Sequence, residues 1–315
     1  MINPKNTARA LMLSLACGVQ MANAVHAAPA RPDRFAARAM YLDAARAGSR
    51  VVAVGERGHV LLTDDGGHTP HQALQVPVDT TLTAVSFADA RHGWAVGHGG
   101  VIVHTDDGGE RWTLQRQDKS VDQPLLTVYF RDRLNGWAAG LWSLLLVTRD
   151  GGTSWHRVAL PPQEGAKRSD LNLLKIFPGP DGQIYIAAER GMVLASADDG
   201  STWRYRDTGG KASLWTGSAT GSGALLVGGL GGKLLRSSDR GATWSAIDTG
   251  TTASITQLRA DAAGITASAL DGRLQRSEDD GRTWSPMVPG DVALTAIASD
   301  GRGGYLRFSR AGLLR

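Results

Sequence analysis

Cysteine is nearly absent from this chain of 315 residues, because Cys17 is its only one. Two basic residues precede the apolar run 10–18, and the alanine-rich stretch 22–27 offers small-x-small cleavage sites. This order is typical of a secretory signal peptide, so we expect residues 1–27 to be removed by cleavage after Ala27. The mature chain would then have no cysteine, which excludes disulfides and cysteine metal sites.

Long apolar runs are also missing after the signal peptide, so we expect no stable insertion into a membrane and a periplasmic location. A lipoprotein acylated at Cys17 is the alternative, but the preceding residues 14–16 match that signal poorly. Excess charge is lacking too, since cleavage leaves 32 basic against 30 acidic residues. A net charge near +2 gives no case for binding nucleic acid or an anionic membrane surface.

What the chain does have is one repeated motif of the form Ser/Thr-x-Asp-x-Gly-x-Thr-Trp. Copies start at residues 63, 105, 148, 196, 237 and 277, with Arg111 and Ser154 as variants and Pro70 in place of one Trp. Asp and Gly at these positions favour a hairpin turn, which we call the Asp turn. A period near 40 residues indicates a stack of identical supersecondary units.

Each unit reads as three short apolar strands, the Asp turn and a fourth strand. In the second unit the strands fall at 82–87, 93–97 and 101–103. Six such units and the partial unit 292–315 predict an all-β, seven-bladed β-propeller over residues 28–315. We expect the N-terminal arm, residues 28–36, to close the ring by supplying the missing outer strand of the last blade.

Two paired motifs carry a resemblance to a known family. Gly-Trp-Ala-Val-Gly at 93–97 and Gly-Trp-Ala-Ala-Gly at 136–140, each followed by an Asp turn, resemble the photosystem II stability/assembly factor-like family of BNR/Asp-box repeat propellers. The resemblance implies a non-enzymatic protein that binds a newly made membrane subunit and helps its complex to assemble. In bacteria without photosystems, such relatives accompany membrane transporters. It therefore implies, as partner, an exported loop or tail of a membrane protein, bound by a monomer without cofactor or metal.

Partner-binding residues are expected on the face that carries the turns between second and third strands, which it shares with the loops between blades. Arginine suits carboxylates, and Trp and Arg are favoured at interface hot spots. An alternative is that each Arg is solvated or paired with a neighbouring Glu, and that Trp142 packs under the loop 156–170. The candidates are Arg57, His98, Trp142, Lys167, Arg168, Arg190 and Arg310.

The Asp turns should lie on the opposite face, where we expect a structural role for their carboxylates. No copy has the carboxylate count of a calcium loop, so we assign neither catalysis nor metal binding to them. Trp94 and Trp137, in second strands, are expected in the core. The six structural aspartates are Asp65, Asp107, Asp150, Asp198, Asp239 and Asp279.

A sialidase-like or other glycoside hydrolase, or a carbohydrate-binding propeller, is the alternative function, since such proteins also carry Asp turns. A sialidase needs an arginine triad, a Tyr activated by Glu and an acid/base Asp. The Arg-Ile-Pro triplet of that family is absent, and the chain has only five glutamates. We therefore predict that the protein is not an enzyme.

Overall fold

A computed structural model describes residues 28–118, 120–163 and 169–314. These residues form seven antiparallel sheets, six of four strands and one of three, and in each sheet the strands follow chain order from the channel outward. The first strand of every sheet packs on the first strands of its two neighbours, and the last sheet packs on the first. The seven-bladed propeller is confirmed. The predicted signal peptide lies outside the described residues.

The strand bounds agree closely with the repeat. The strands are β1 (Tyr41–Ala47), β2 (Arg50–Gly55), β3 (Val60–Thr63) and β4 (His71–Gln72) in blade 1; β5 (Leu82–Phe87), β6 (Gly93–Gly97), β7 (Ile102–Thr105) and β8 (Thr113–Arg116) in blade 2; β9 (Leu125–Phe130), β10 (Gly136–Gly140), β11 (Leu145–Thr148) and β12 (His156–Arg157) in blade 3; β13 (Leu173–Pro178), β14 (Ile184–Ala188), β15 (Met192–Ser196) and β16 (Arg204–Asp207) in blade 4; β17 (Leu214–Ala219), β18 (Leu225–Gly229), β19 (Leu234–Ser237) and β20 (Ser245–Ala246) in blade 5; β21 (Ile255–Asp261), β22 (Gly264–Ala269), β23 (Leu274–Ser277) and β24 (Ser285–Val288) in blade 6; and β25 (Leu294–Ser299), β26 (Tyr305–Ser309) and β27 (Gly312–Leu314) in blade 7.

Across the described ranges, the helical content is limited to single 3-10 turns. None of the helices in the described part of the chain has the length and apolar character that crossing a membrane requires. The turns are Ala36–Arg38, Glu56–Gly58, His98–Gly100, Leu141–Ser143, Pro180–Gly182 and Leu230–Gly232.

The second strands are buried on both faces because the blades stack against each other. Trp94 and Trp137 are almost wholly buried there, which confirms their prediction as core residues. The Trp94 ring stacks on Phe130 of blade 3 with centroids 3.5 Å apart, and its Nε1 donates to the carbonyl of Gly151 at 3.1 Å. An aromatic side chain of one blade thus holds the Asp turn of the next.

Each Asp turn is closed by its own side chains. The Asp198 carboxylate accepts hydrogen bonds from the Thr202 hydroxyl at 2.6 Å, the Thr202 N–H at 2.8 Å and the Ser196 hydroxyl at 2.9 Å. The Ser196 Oγ in turn accepts from the N–H of Gly200 at 2.8 Å. The hydroxyl and N–H of Thr202 hold the pKa of Asp198 at about 2. The carboxylate therefore stays ionised, and its oxygens accept hydrogen bonds from residues of its own turn, as a structural role requires.

The first blade contacts the last blade as other neighbouring blades contact each other, through side chains that pack on an Asp turn. Gly67 in the Asp turn of blade 1 abuts Leu306 and Leu313 of blade 7, and a Cβ at Gly67 would lie 3.2 Å from both side chains. Tyr41 packs edge-on against Phe308 with centroids 5.7 Å apart. The ring is closed by side-chain packing between sheets.

This closure corrects the expectation that the N-terminal arm completes the last blade. Blade 7 has three strands in the described residues, and no arm strand pairs with it. Instead Ala30 donates its N–H to Val76 at 2.9 Å, and Asp33 donates its N–H to the Gln72 side chain at 2.7 Å, so part of the arm lies along blade 1. The end of the arm forms the 3-10 turn Ala36–Arg38, which packs on β27 of blade 7 without pairing as a strand.

Candidate functional site

Seven tight turns between second and third strands define one face of the ring, which we call the short-turn face. The Asp turns, between third and fourth strands, lie at the opposite ends of the blades because successive hairpins alternate in direction. The short turns are residues 56–58, 98–100, 141–143, 189–191, 230–232, 270–272 and 310–311.

In blades 1 to 5 the short turns impose a left-handed backbone on their central residues. In blade 1 the His59 N–H donates to the Glu56 carbonyl at 2.9 Å, with φ of 54° at Arg57 and 69° at Gly58. Two consecutive left-handed residues make a type I′ turn, which matches the twist of the flanking strands. The residue that corresponds to Arg57 is Gly99, Trp142, Arg190 or Gly231 in blades 2 to 5.

Large side chains at three of these positions are unexpected, since glycine occupies them in the other two. A left-handed conformation costs a residue with a side chain about 1–2 kcal/mol. Trp142 and Arg190 have φ of 51° and 58°. The side chains of Arg57 and Arg190 are 71% and 57% exposed, and Trp142 is 52% exposed. Buried packing therefore does not explain why these side chains are held in strained positions. The strain motivates a hypothesis of function on this face, although Asp199, Arg240 and Asp280 in the Asp turns are left-handed as well.

The arginines are partly neutralised by neighbouring carboxylates, as one alternative anticipated. Arg57 lies 3.5 Å from Glu56, and Arg190 lies 3.3 Å from Asp170 and 3.7 Å from Glu189. Exposed pairs of this kind contribute about 0–1 kcal/mol, so an incoming carboxylate can displace them.

Trp142 and Arg190 are brought together across the joint between blades 3 and 4. The Trp142 N–H donates to the Asn172 side chain at 3.1 Å, and Asn172 Nδ2 donates to Glu189 at 2.9 Å. Trp142 is exposed at this joint rather than packed away. The linked turns of blades 3 and 4 thus carry an exposed indole and an exposed guanidinium, two side-chain types favoured in interface hot spots.

The remaining candidates are not gathered at this joint. Arg310 and His98 are exposed in the turns of blades 7 and 2. Among the residues that the structure describes, Arg310 forms no ion pair. Lys167 and Arg168 lie outside the described residues.

Exposed apolar residues on the short-turn face were missed by the sequence reasoning. Leu230 is 49% exposed and Leu270 is 40% exposed, each at the start of a short turn. Val121 and Val292, in loops between blades, are 46% and 38% exposed. The period of the Asp turns predicts that these residues lie in turns and loops. It does not predict that their side chains are exposed to solvent. Apolar groups among arginines are the composition expected of a protein interface.

A cavity outside the short-turn face lies at the Asp turns of blades 4 and 5. It measures about 520 Å³ and is lined by Asp198, Asp239, Arg204 and Arg206. The turn hydroxyls hold the pKa of both aspartates at about 2, so neither carboxylate can act as a general acid near neutral pH. No group of three or more possible metal ligands occurs in the part of the chain that the structure describes.

Comparisons with known proteins agree with the sequence resemblance. The family model described as Photosynthesis system II assembly factor YCF48 matches residues 63–167. Photosystem II assembly protein Ycf48 of Thermosynechococcus vestitus is 40% identical over 45 residues, which cover 14% of this chain and 13% of the relative. Photosystem II assembly lipoprotein Ycf48 of Synechococcus sp. is 34% identical over 62 residues, 19% of either chain. The resemblance to this assembly-factor family is confirmed.

A solved structure of YCF48 bound to a D1 peptide superposes on this chain with a TM-score of 0.70. The match covers 88% of this chain and 92% of that one, at 19% identity. This likeness shows the seven-bladed fold and extends it well beyond residues 63–167. The sequence matches span less than a fifth of the curated relatives' length, so what those proteins assemble is not thereby shown for this chain.

Proposed function

We propose that this chain, a propeller similar to the Ycf48-type photosystem II assembly factors, binds an exported segment of a membrane protein and assists its assembly or stability. The observation that carries the proposal is the set of exposed, left-handed residues Arg57, Trp142 and Arg190 on the short-turn face. These residues keep large side chains where glycine would fit with less strain. Cationic and aromatic groups at such positions suit an extended peptide that carries carboxylates.

The relatives support a peptide as the partner and a location outside the cytoplasm. One solved relative is bound to a D1 peptide, and one curated relative is an assembly lipoprotein. The lipoprotein relative also strengthens the alternative that Cys17 is acylated. Either route would place the propeller outside the cytoplasm, where an exported loop or tail is accessible.

We also propose that the protein is not an enzyme. The Asp-turn carboxylates are occupied by hydrogen bonds within their own turns, as at Asp198. The family match favours an assembly role over the glycoside hydrolase or carbohydrate-binding alternative.

Replacing the three strained residues by glycine tests the binding role separately from folding. In the triple variant Arg57→Gly, Trp142→Gly and Arg190→Gly, the thermal unfolding midpoint should stay the same or rise, because the left-handed strain is relieved. Capture of the membrane partner in a crosslinking pull-down from the native envelope should fall at least about tenfold, since hot-spot residues contribute about 2 kcal/mol or more.

A matched control replaces three left-handed residues by glycine on the opposite face, in the Asp turns. Asp199, Arg240 and Asp280 have φ of 57°, 59° and 61° in Asp turns. Their triple glycine variant should capture the partner as the parent protein does. Equal capture by both triple variants, with the short-turn variant still folded, would rule out the short-turn face as the binding surface.

A further inference from the structure

The first strands place one residue of each blade at corresponding positions around the channel, where each strand shifts register by a bulge. The side chains of four of these residues each accept a hydrogen bond from a backbone N–H of the next blade. For example, Thr127 accepts from the N–H of Ile176 at 3.0 Å, and Thr216 accepts from the N–H of Leu258 at 2.9 Å. We call this set the channel ring. Its members are Asp43, Ala84, Thr127, Lys175, Thr216, Gln257 and Ala296.

Two members of the channel ring are charged, and a third charge lies next to them. The Asp43 carboxylate accepts from the Val85 N–H at 3.2 Å, from Gln257 Nε2 at 2.8 Å and from Arg259 Nη2 at 2.6 Å. Lys175 Nζ lies 3.8 Å from Asp43, which is too long for a hydrogen bond. The single carboxylate takes its short hydrogen bonds from other donors, and the ammonium group has one longer ion-pair contact, to Asp43, among the described residues.

Lys175 and Arg259, two cations that share one carboxylate, both line a cavity at the Asp-turn end of the channel, which we call the lower channel. This cavity measures about 420 Å³, and its lining includes Lys175, Arg259 and Arg46 but no carboxylate among the described residues. Towards the short-turn face the channel narrows to a space of about 90 Å³ beside Trp215. The lower cavity therefore lies on the Asp-turn side of the channel, away from the proposed peptide surface.

The cavity walls combine this charge with apolar surface. Ala45, Phe87, Tyr129 and Ala219 are partly exposed and contribute to the lining. A volume of about 300–1,000 Å³ is usual for small-molecule sites, which pair apolar walls with a few fixed polar groups. Cations on one side and apolar walls on the other select an amphipathic anion.

We propose that the lower channel binds a small organic carboxylate, with its carboxylate group between Lys175 and Arg259 and its apolar body against the partly exposed residues Tyr129 and Ala219. Lys175 and Arg259 share the one carboxylate of Asp43, and a bound carboxylate would give the buried ammonium group a second acceptor at hydrogen-bond distance. Burial lowers the pKa of Lys175, and Asp43 opposes this shift without cancelling it. The proposal does not depend on the short-turn face, so either can fail without the other.

Calorimetric titration of the full mature chain with benzoate tests the proposal. Benzoate should bind, whereas benzamide, which has the same shape without the charge, should bind at least about tenfold more weakly, since a charge-assisted hydrogen bond contributes about 1.5–3 kcal/mol. Absence of benzoate binding up to about 10 mM would overturn the proposal, because fragments of this size reach that range in a fitting site.

Two variants locate the binding. Lys175→Met should weaken benzoate binding at least about tenfold, and Arg46→Met, at the exposed rim of the cavity, should weaken it several-fold without a buried charge to disturb. Lys211→Met, at an exposed lysine away from the channel, should leave it unchanged. If Lys175→Met does not fold, Arg46→Met decides alone. Benzoate binding that survives in every folded channel variant would refute the assignment.

Discussion

Asp43→Ala should lower the free energy of unfolding by about 3–5 kcal/mol, the usual cost of removing one partner of a buried ion pair. Asp43 is 3% exposed and accepts hydrogen bonds from blades 2 and 6 as well as its own. Its loss would leave Lys175 and Arg259 close together in the channel without the carboxylate that separates them. The measurement is urea unfolding of the mature chain.

The protonation state of Asp43 gives the same prediction a pH dependence. Burial alone would raise the pKa of Asp43, but Lys175, Arg259 and the N–H groups of Val85 and Ala44 outweigh it and hold the pKa below its usual value. A depressed pKa in the folded state stabilises the protein above about pH 3.9, the unfolded value, and the effect is lost as pH falls through the folded pKa. Asp43→Asn should therefore lose most of its disadvantage in acid.

Asp122→Ala is the matched control, because Asp122 is exposed in a loop between blades. Its unfolding free energy should lie within about 0.5 kcal/mol of the parent value. If Asp43→Ala were as stable as Asp122→Ala, the charged group in the channel would have no role in holding the ring.

Gly200→Ala should destabilise the protein by about 2–5 kcal/mol through two separable effects. Gly200 has φ of 79°, which costs any other residue about 1–2 kcal/mol. A Cβ there would also lie 2.2 Å from Nε1 of Trp137, which donates to the Asp199 carbonyl in the joint between blades 3 and 4. Overpacking of this kind costs about a further 1–3 kcal/mol.

Gly209→Ala should show only the first effect, the cost of the left-handed conformation. The difference in stability between it and Gly200→Ala therefore measures the second effect, the overpacking. Gly209 has nearly the same φ, 76°, but nothing lies within 4 Å of the position of its Cβ. Chemical unfolding should place Gly209→Ala between the parent and Gly200→Ala. Equal stability of the two alanine variants would mean that the Asp turn does not clasp the neighbouring blade.

The fold was predictable because its signal is repeated. The Asp turns from Thr63 to Trp284 have a period near 40 residues, and this period fixed the blade number and most strand positions. The ring closure was not predictable in the same way. A missing outer strand and a free N-terminal arm suggest strand exchange, whereas the packing of Leu306 and Leu313 on Gly67 depends on contacts between the two ends of the chain.

The candidate site was predictable only in part. Turn positions could be assigned from the repeat, so Arg57, Trp142 and Arg190 were found. Their left-handed conformation had a visible signal, since Gly99 and Gly231 occupy the same position in other blades. The exposure of Leu230 had none, because burial in a turn is decided by how neighbouring loops cover it.

The charged residues of the channel had a signal that was overlooked. Ala, Thr or Gln occupies five of the seven positions in the channel ring, and Asp43 and Lys175 are the exceptions. Aligning the first strands of the repeats would have shown two opposite charges at equivalent positions in blades 1 and 4. Their contact across the channel still depends on ring geometry, which sequence spacing does not encode.

A photo-crosslinking amino acid placed at Leu230 or at Leu134 tests the central claim most directly, because these leucines lie on opposite faces and are 49% and 57% exposed. With the mature protein irradiated in its native envelope, the short-turn face should crosslink through position 230 to an exported segment of a membrane protein, and position 134 should give no such product. A membrane-protein crosslink at position 134 and none at 230 would contradict the account.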